Sequence, residues 1–154
     1  MVNKVIEFLK EWCFNYIRNK DLILGRIVTI DKKEDYLFVK YKDKDQVFLI
    51  VPEIKNINED IVRLGEFSKA GAATTLVLLN TRENLDLVVS NWAKLINDLK
   101  FSIYFVNPFS SLDKVLSIFP RTHDLVTEKA SLKIGLEALA LNVEQFTKED
   151  FKKI

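Results

Sequence analysis

DYLFVKYKDKDQVFLIVPEIK, from Asp35 to Lys55, is the stretch whose reading decides the fold. Tyr36 to Tyr41 is a run of aromatic and branched residues, Lys42-Asp43-Lys44-Asp45 is a polar turn, and Val47 to Val51 is a second run. A turn this short joins antiparallel strands, because a parallel pair needs a long crossover. Val47 to Val51 is apolar at every position, as in a strand covered on both faces. Just upstream, Leu22 to Ile30 is rich in branched residues and broken by Gly25, and Asp31-Lys32-Lys33-Glu34 forms another polar turn. The spacing therefore predicts a three-stranded antiparallel meander.

Before the meander, residues 2 to 18 read as an amphipathic helix. Val2, Val5, Ile6, Leu9, Trp12, Cys13, Tyr16 and Ile17 share one side, Asn3 is a candidate N-cap, and Glu7 and Glu11 lie on the opposite, solvated side. After it, Ile57, Ile61, Leu64 and Phe67 predict a short helix, with Asn58 near its start and Gly71 just past its end. Thr74 to Leu79 reads as a buried strand. Asn80 or Thr81 caps a helix carrying Leu85, Val88, Val89, Trp92, Leu95, Ile96 and Leu99, and Phe101 to Val106 is a further strand stopped by Asn107-Pro108. A strand–helix–strand unit over 74–106 implies parallel pairing through a right-handed crossover. The remainder reads as helical: Ser111 caps a turn or two ending at Pro120, a helix covers 124–142 with Leu132, Leu136 and Leu139 inward, and Thr147 to Asp150 opens a last turn. The expected fold is one α/β domain: a helix, a three-stranded antiparallel meander, then helix-strand-helix-strand extending a mixed sheet over 1–106, with a helical extension over 107–154.

Composition narrows the function classes. The 154 residues suffice for one core and are short for two. With 48% hydrophobic and 29% charged residues the chain is not wholly disordered. A net charge of +1 demands no polyanionic partner. Cys13, the single cysteine, allows no internal disulfide and no thiolate metal site, and reads as a core hydrophobe in a reducing compartment. The apolar runs are too short for a membrane span, and Lys4, Glu7, Lys10 and Glu11 make the opening residues unlike a secretory leader, so a cytoplasmic protein without a membrane partner is expected. Glycines at 25, 65, 71 and 135 form no phosphate-cradling loop. His123 stands in an expected loop without a companion His or Cys, and Ser110 and Ser111 precede an expected helix, where capping is the ordinary role.

One constellation points to chemistry. Asp35 begins the second strand, and Glu53-Ile54-Lys55 follows the third. If that strand runs on, Val47, Leu49, Val51, Glu53 and Lys55 share a face. Two carboxylates at adjacent strand ends can hold Mg²⁺ with its waters, and a lysine beside them can orient the attacking water and offset phosphate charge. Asp35 and Glu53 are the candidate metal ligands, and Asp35, Glu53 and Lys55 the candidate catalytic set.

These residues, with the order of elements over about 2–106, resemble the PD-(D/E)xK nuclease fold of restriction endonucleases and archaeal Holliday-junction resolvases. Leu64-Gly-Glu-Phe-Ser-Lys-Ala-Gly71, leading into a buried strand, also resembles the passage after the ExK strand in those resolvases. The resemblance implies Mg²⁺-dependent endonuclease chemistry, or an inactive relative, and a protein that binds duplex or branched DNA and often dimerises. Two outcomes stay open at Pro52, which lacks an amide donor. The strand can continue through it, or it can end at Val51 and leave Asp35 a turn residue and Glu53 and Lys55 solvated charges.

Three other partner classes follow from the sequence. Lys32, Lys33, Lys42 and Lys44, with Lys40, crowd the two hairpin turns and are candidates for nucleic-acid phosphates, although the interleaved acids also fit plain soluble turns. Eleven phenylalanines, among them Phe8, Phe14, Phe109, Phe119, Phe146 and Phe151, raise the alternative of a protein-interaction module, homo-oligomer or subunit of a larger assembly if several are exposed together. The carboxyl ends of the parallel strands, near Asn80 and Asn107, are where a small-molecule pocket would open.

Overall fold

Val47, Phe48, Leu49 and Ile50 are all buried, and they lie near the middle of a six-stranded sheet. The computed structural model describes residues 3–154; Val2, assigned to the first helix by its spacing, lies outside them. In chain order the elements are α1 (Lys4–Asp21), β1 (Ile27–Lys32), β2 (Tyr36–Tyr41), β3 (Asp45–Ile50), α2 (Ile57–Lys69), β4 (Ala73–Leu79), α3 (Arg82–Ser90), α4 (Trp92–Leu95), β5 (Phe101–Val106), β6 (Val115–Ile118), α5 (Pro120–Val126), α6 (Leu132–Ala140) and α7 (Lys148–Phe151). The strands lie side by side in sequence order. β1, β2 and β3 are antiparallel, β3, β4 and β5 are parallel, and β6 returns antiparallel to β5. The fold is thus the expected α/β arrangement of helix, meander and strand–helix alternation in a mixed sheet.

Alternation along the central strands builds two cores, because successive side chains leave a strand on opposite faces. Leu49, Leu76, Leu78, Ile103 and Phe105 face α2, α3, α4 and α6 through Leu64, Leu85, Trp92 and Leu136. Phe48, Ile50, Val77, Leu79 and Val106 face α1 through Leu9, Cys13 and Ile17. Asn3 caps α1 as expected, accepting from the amides of Val5 and Ile6. Of the two candidates Thr81 caps α3, and Asn56 caps α2, with Asn58 near the helix start as expected.

Several expectations are corrected. Leu22 to Leu24 is an exposed turn and not part of a strand, because the Asp21 carboxylate binds the amides of Arg26 and Ile27 and Gly25 takes a φ of +59°. The helix after Thr81 breaks at Asn91, whose side chain hydrogen bonds back to the Leu87 carbonyl at 2.8 Å in place of regular helix. Ser111 caps no helix: its amide binds the Glu144 carboxylate, and the chain runs on into β6. The helix expected over 124–142 is divided into α5, a 3-10 turn over Lys129–Ser131 and α6, with extended backbone at Thr127 and Glu128. His123 lies on α5 edge-on to Trp92, not in a loop, and its Nε2 is buried without a hydrogen-bond partner. Of the phenylalanines singled out, Phe8 stacks on Phe109, Phe109 and Phe151 both pack on buried Phe146, and Phe119 is half-exposed.

Candidate functional site

Asp35 stands one residue before β2, and its carbonyl accepts the Ile50 amide at 2.8 Å. The turn that delivers it is anchored from α1. The buried ammonium of Lys10 donates to the carbonyls of Lys33, at 2.7 Å, and Glu34, at 3.0 Å, and to the Glu7 carboxylate at 2.9 Å. Nothing in the spacing of the first helix singled out Lys10, which neighbours the apolar stripe and satisfies all three of its donors.

β3 ends at Ile50, so the strand does not continue through Pro52. Pro52 is buried, and its carbonyl accepts from the Leu79 amide and from the side chain of Asn84. Glu53 and Lys55 follow on irregular backbone and are both exposed, on either side of buried Ile54. Side by side in the ladder, Tyr36 pairs with Leu49, so the strand positions nearest Asp35 on β3 are apolar. Nevertheless Asp35, Glu53 and Lys55 line one open cleft, together with Asp60 and Arg63 of α2.

Arg63 dominates the electrostatics of this cleft. It donates through both terminal nitrogens to Asp35, at 2.5 and 2.9 Å. These hydrogen bonds hold the Asp35 carboxyl below the usual carboxylate range, against the opposing effect of partial burial. Asp60 behaves oppositely: partial burial pushes its carboxyl up to about 6, and one of its oxygens is buried without a partner.

The donor set does not suit Mg²⁺. Both Asp35 oxygens accept from a guanidinium, which repels a divalent cation at the same atoms. Among the described residues no group of three or more His, Cys, Asp and Glu side chains is placed to hold a metal ion.

The four lysines assigned to phosphates fall at opposite ends of β2. Lys32 and Lys33 are on the side of the cleft, and Lys42 and Lys44 are roughly 20 Å away by the rise of a six-residue strand. Lys32 binds Glu11 at 2.7 Å and lies over the Phe14 ring, whereas Lys33 is exposed. At the crevice expected near Asn80 and Asn107, both side-chain amides are buried and donate to the Glu144 carbonyl, and Asn80 also to that of Val143, while Asn80 still lines an open cavity with Thr81, Arg82 and Glu144. Among the described residues no helix is long and apolar enough to cross a membrane.

Comparison with known proteins finds no matching family model, no matching curated protein and no matching solved structure.

Proposed function

We propose that this is a nuclease-like protein that binds nucleic acid at the Asp35 cleft and does not cut it. The reading rests on one observation, the double hydrogen bond from Arg63 to Asp35. The carboxylate that the nuclease resemblance assigns to a metal ion carries a guanidinium instead. Lys33, two residues before Asp35, and Lys55 add positive charge at the same end of the sheet, where each phosphate contact contributes salt-dependent affinity. The positive charge is confined to these side chains, since Glu53, Glu59 and Asp60 line the same cleft.

The test is a titration of labelled duplex, four-way-junction and single-stranded DNA and of RNA at low and moderate salt, with cleavage followed in Mg²⁺ and Mn²⁺. Binding that weakens with salt, falls on combined Lys33→Ala and Lys55→Ala substitution and leaves every strand intact supports the reading. Absence of binding at low salt overturns it. Cleavage that Asp35→Ala abolishes overturns the non-cleaving form and restores the metal site of Asp35 and Glu53.

A second reading, a protein-interaction module, is favoured by Leu125, Val126, Ile134 and Leu141, all large, apolar and exposed on or beside the C-terminal helices. It expects a solution mass above that of the monomer, and a monodisperse monomer counts against it.

A further inference from the structure

At the end of the sheet away from the Asp35 cleft, three consecutive apolar side chains face solvent: Leu22, Ile23 and Leu24 are 76%, 97% and 69% exposed. The turn that displays them is built. The Gly25 amide donates to the Asp21 carbonyl at 2.8 Å, both Asp21 carboxylate oxygens accept backbone amides at 2.9 Å, and Gly25 occupies the left-handed region that closes the turn. Removing apolar side chains from water is ordinarily favourable. Here they point away from both cores.

Cations surround the tip. Arg18 lies with Leu22 and exposed Val28 along one side. Lys20, Arg26 and Lys44 lie with Leu24 and half-exposed Phe119 along the other. Lys42 extends from the adjoining hairpin turn. Three acids lie in or beside the turn and the adjoining hairpin, and two are engaged: Asp21 in closing the turn and Asp43 in an ion pair with Arg26. The third, Asp45, is half-buried at the start of β3. The rim is left net positive.

We propose that this tip docks on an anionic lipid surface, with Leu22, Ile23 and Leu24 entering the headgroup–acyl boundary and Arg18, Lys20, Lys42 and Lys44 against the lipid phosphates. An apolar wedge ringed by basic residues is the composition of interfacial anchors, and long basic side chains reach the headgroup level from beside a buried apolar segment. A second copy of the chain fits the same tip poorly. Three side chains supply far less than the roughly 800 Å² per partner of a stable interface, and a symmetric contact would bring two cationic rims together. The contact concerns a surface and spans nothing, and it is independent of the reading at the Asp35 cleft.

The experiment is flotation of the full chain with vesicles of phosphatidylcholine alone and of equal parts phosphatidylcholine and phosphatidylglycerol. Ile23→Glu is run alongside, and Ile23→Trp serves as a fluorescent reporter. The expected result is binding to the mixed vesicles that weakens with salt, at least tenfold weaker binding for Ile23→Glu, and a blue-shifted emission of Ile23→Trp on the same vesicles. Because Ile23 is almost fully exposed, both variants should fold like the parent. Failure of the parent to float with mixed vesicles, or equal flotation of Ile23→Glu, overturns the proposal. Self-association of the parent that Ile23→Glu abolishes, without flotation, overturns it in favour of a second copy. Unchanged nucleic-acid binding by Ile23→Glu would show that the two surfaces are separate.

Discussion

Arg63 grips Asp35 with both arms of its guanidinium, joining the second turn of α2 to the first residue before β2. The fork ties the helix that follows the meander to the hairpin that opens it, and it decides what the cleft can hold. A carboxylate so engaged is a structural group, and the exposed charges left at the cleft are Glu53, Lys55 and Glu59.

Arg63→Met should lower stability modestly, by about 1 kcal/mol at pH 7, since the two side chains are 40% and 32% exposed and solvent screens the pair. The folded pKa of Asp35 lies below the ordinary 3.8, so the stabilisation is present above that value and lost as pH falls through the folded pKa. Urea unfolding at pH 7 and at pH 3 checks this: the gap between parent and variant should narrow at the lower pH.

Asp60→Asn should stabilise the protein at pH 7 to 8. Burial raises the Asp60 carboxyl from 3.8 to about 6, so its contribution to stability is fully present below 3.8 and lost as pH rises through about 6. The group is half-exposed and sits in the first turns of α2, where negative charge is favourable; discounted for both, the gain is about 1 kcal/mol. The difference between variant and parent should vanish below pH 4 in the same assay. A destabilising effect at pH 8 would contradict this account of the raised pKa.

Asn84→Leu should be among the costliest single changes in the chain. Asn84 is 1% exposed, its Nδ2 donates to the carbonyls of Pro52 and Leu79 at 2.8 and 2.9 Å, and its Oδ1 accepts the Ile54 amide at 3.0 Å. Leucine of similar size leaves three buried backbone groups with fewer partners, at about 1 kcal/mol or more each, so a loss of about 3 kcal/mol is expected. Amide exchange at Ile54 should rise with it, because that bond fixes the segment bearing Glu53 and Lys55.

Cys13 should resist thiol reagents in the native state. It is wholly buried between α1 and the sheet, and burial pushes its thiol up to about 12, so almost no thiolate exists at pH 8. Reaction with a disulfide reagent should proceed only at the rate of unfolding. Fast labelling without denaturant would show that α1 opens readily.

Where a residue pattern repeats locally, the sequence decided the structure. Tyr36 to Tyr41 and Phe101 to Val106 form strands with the bounds read from the chain, since a run in which five of six residues are branched or aromatic, set between polar turns, favours extended backbone. Asn3 caps α1 and Gly71 closes α2 with φ +97° for equally local reasons. Asp35, Glu53 and Lys55 were likewise legible as charged residues flanking the second and third strands. What they do there was not. The partner of Asp35 is Arg63, 28 residues on and on a helix, Lys10 fixes the turn from α1, and Asn84 holds the segment beyond Pro52 from α3. β6 was missed because Val115 to Ile118 is only four residues long and becomes a strand by pairing with β5, and the apolar turn at Leu22 to Leu24 was read as strand because its composition matches one. Local periodicity is set by backbone geometry and is written in neighbouring residues, whereas the partner of a single charged or amide side chain depends on which distant elements the packed sheet brings within 3 Å of it.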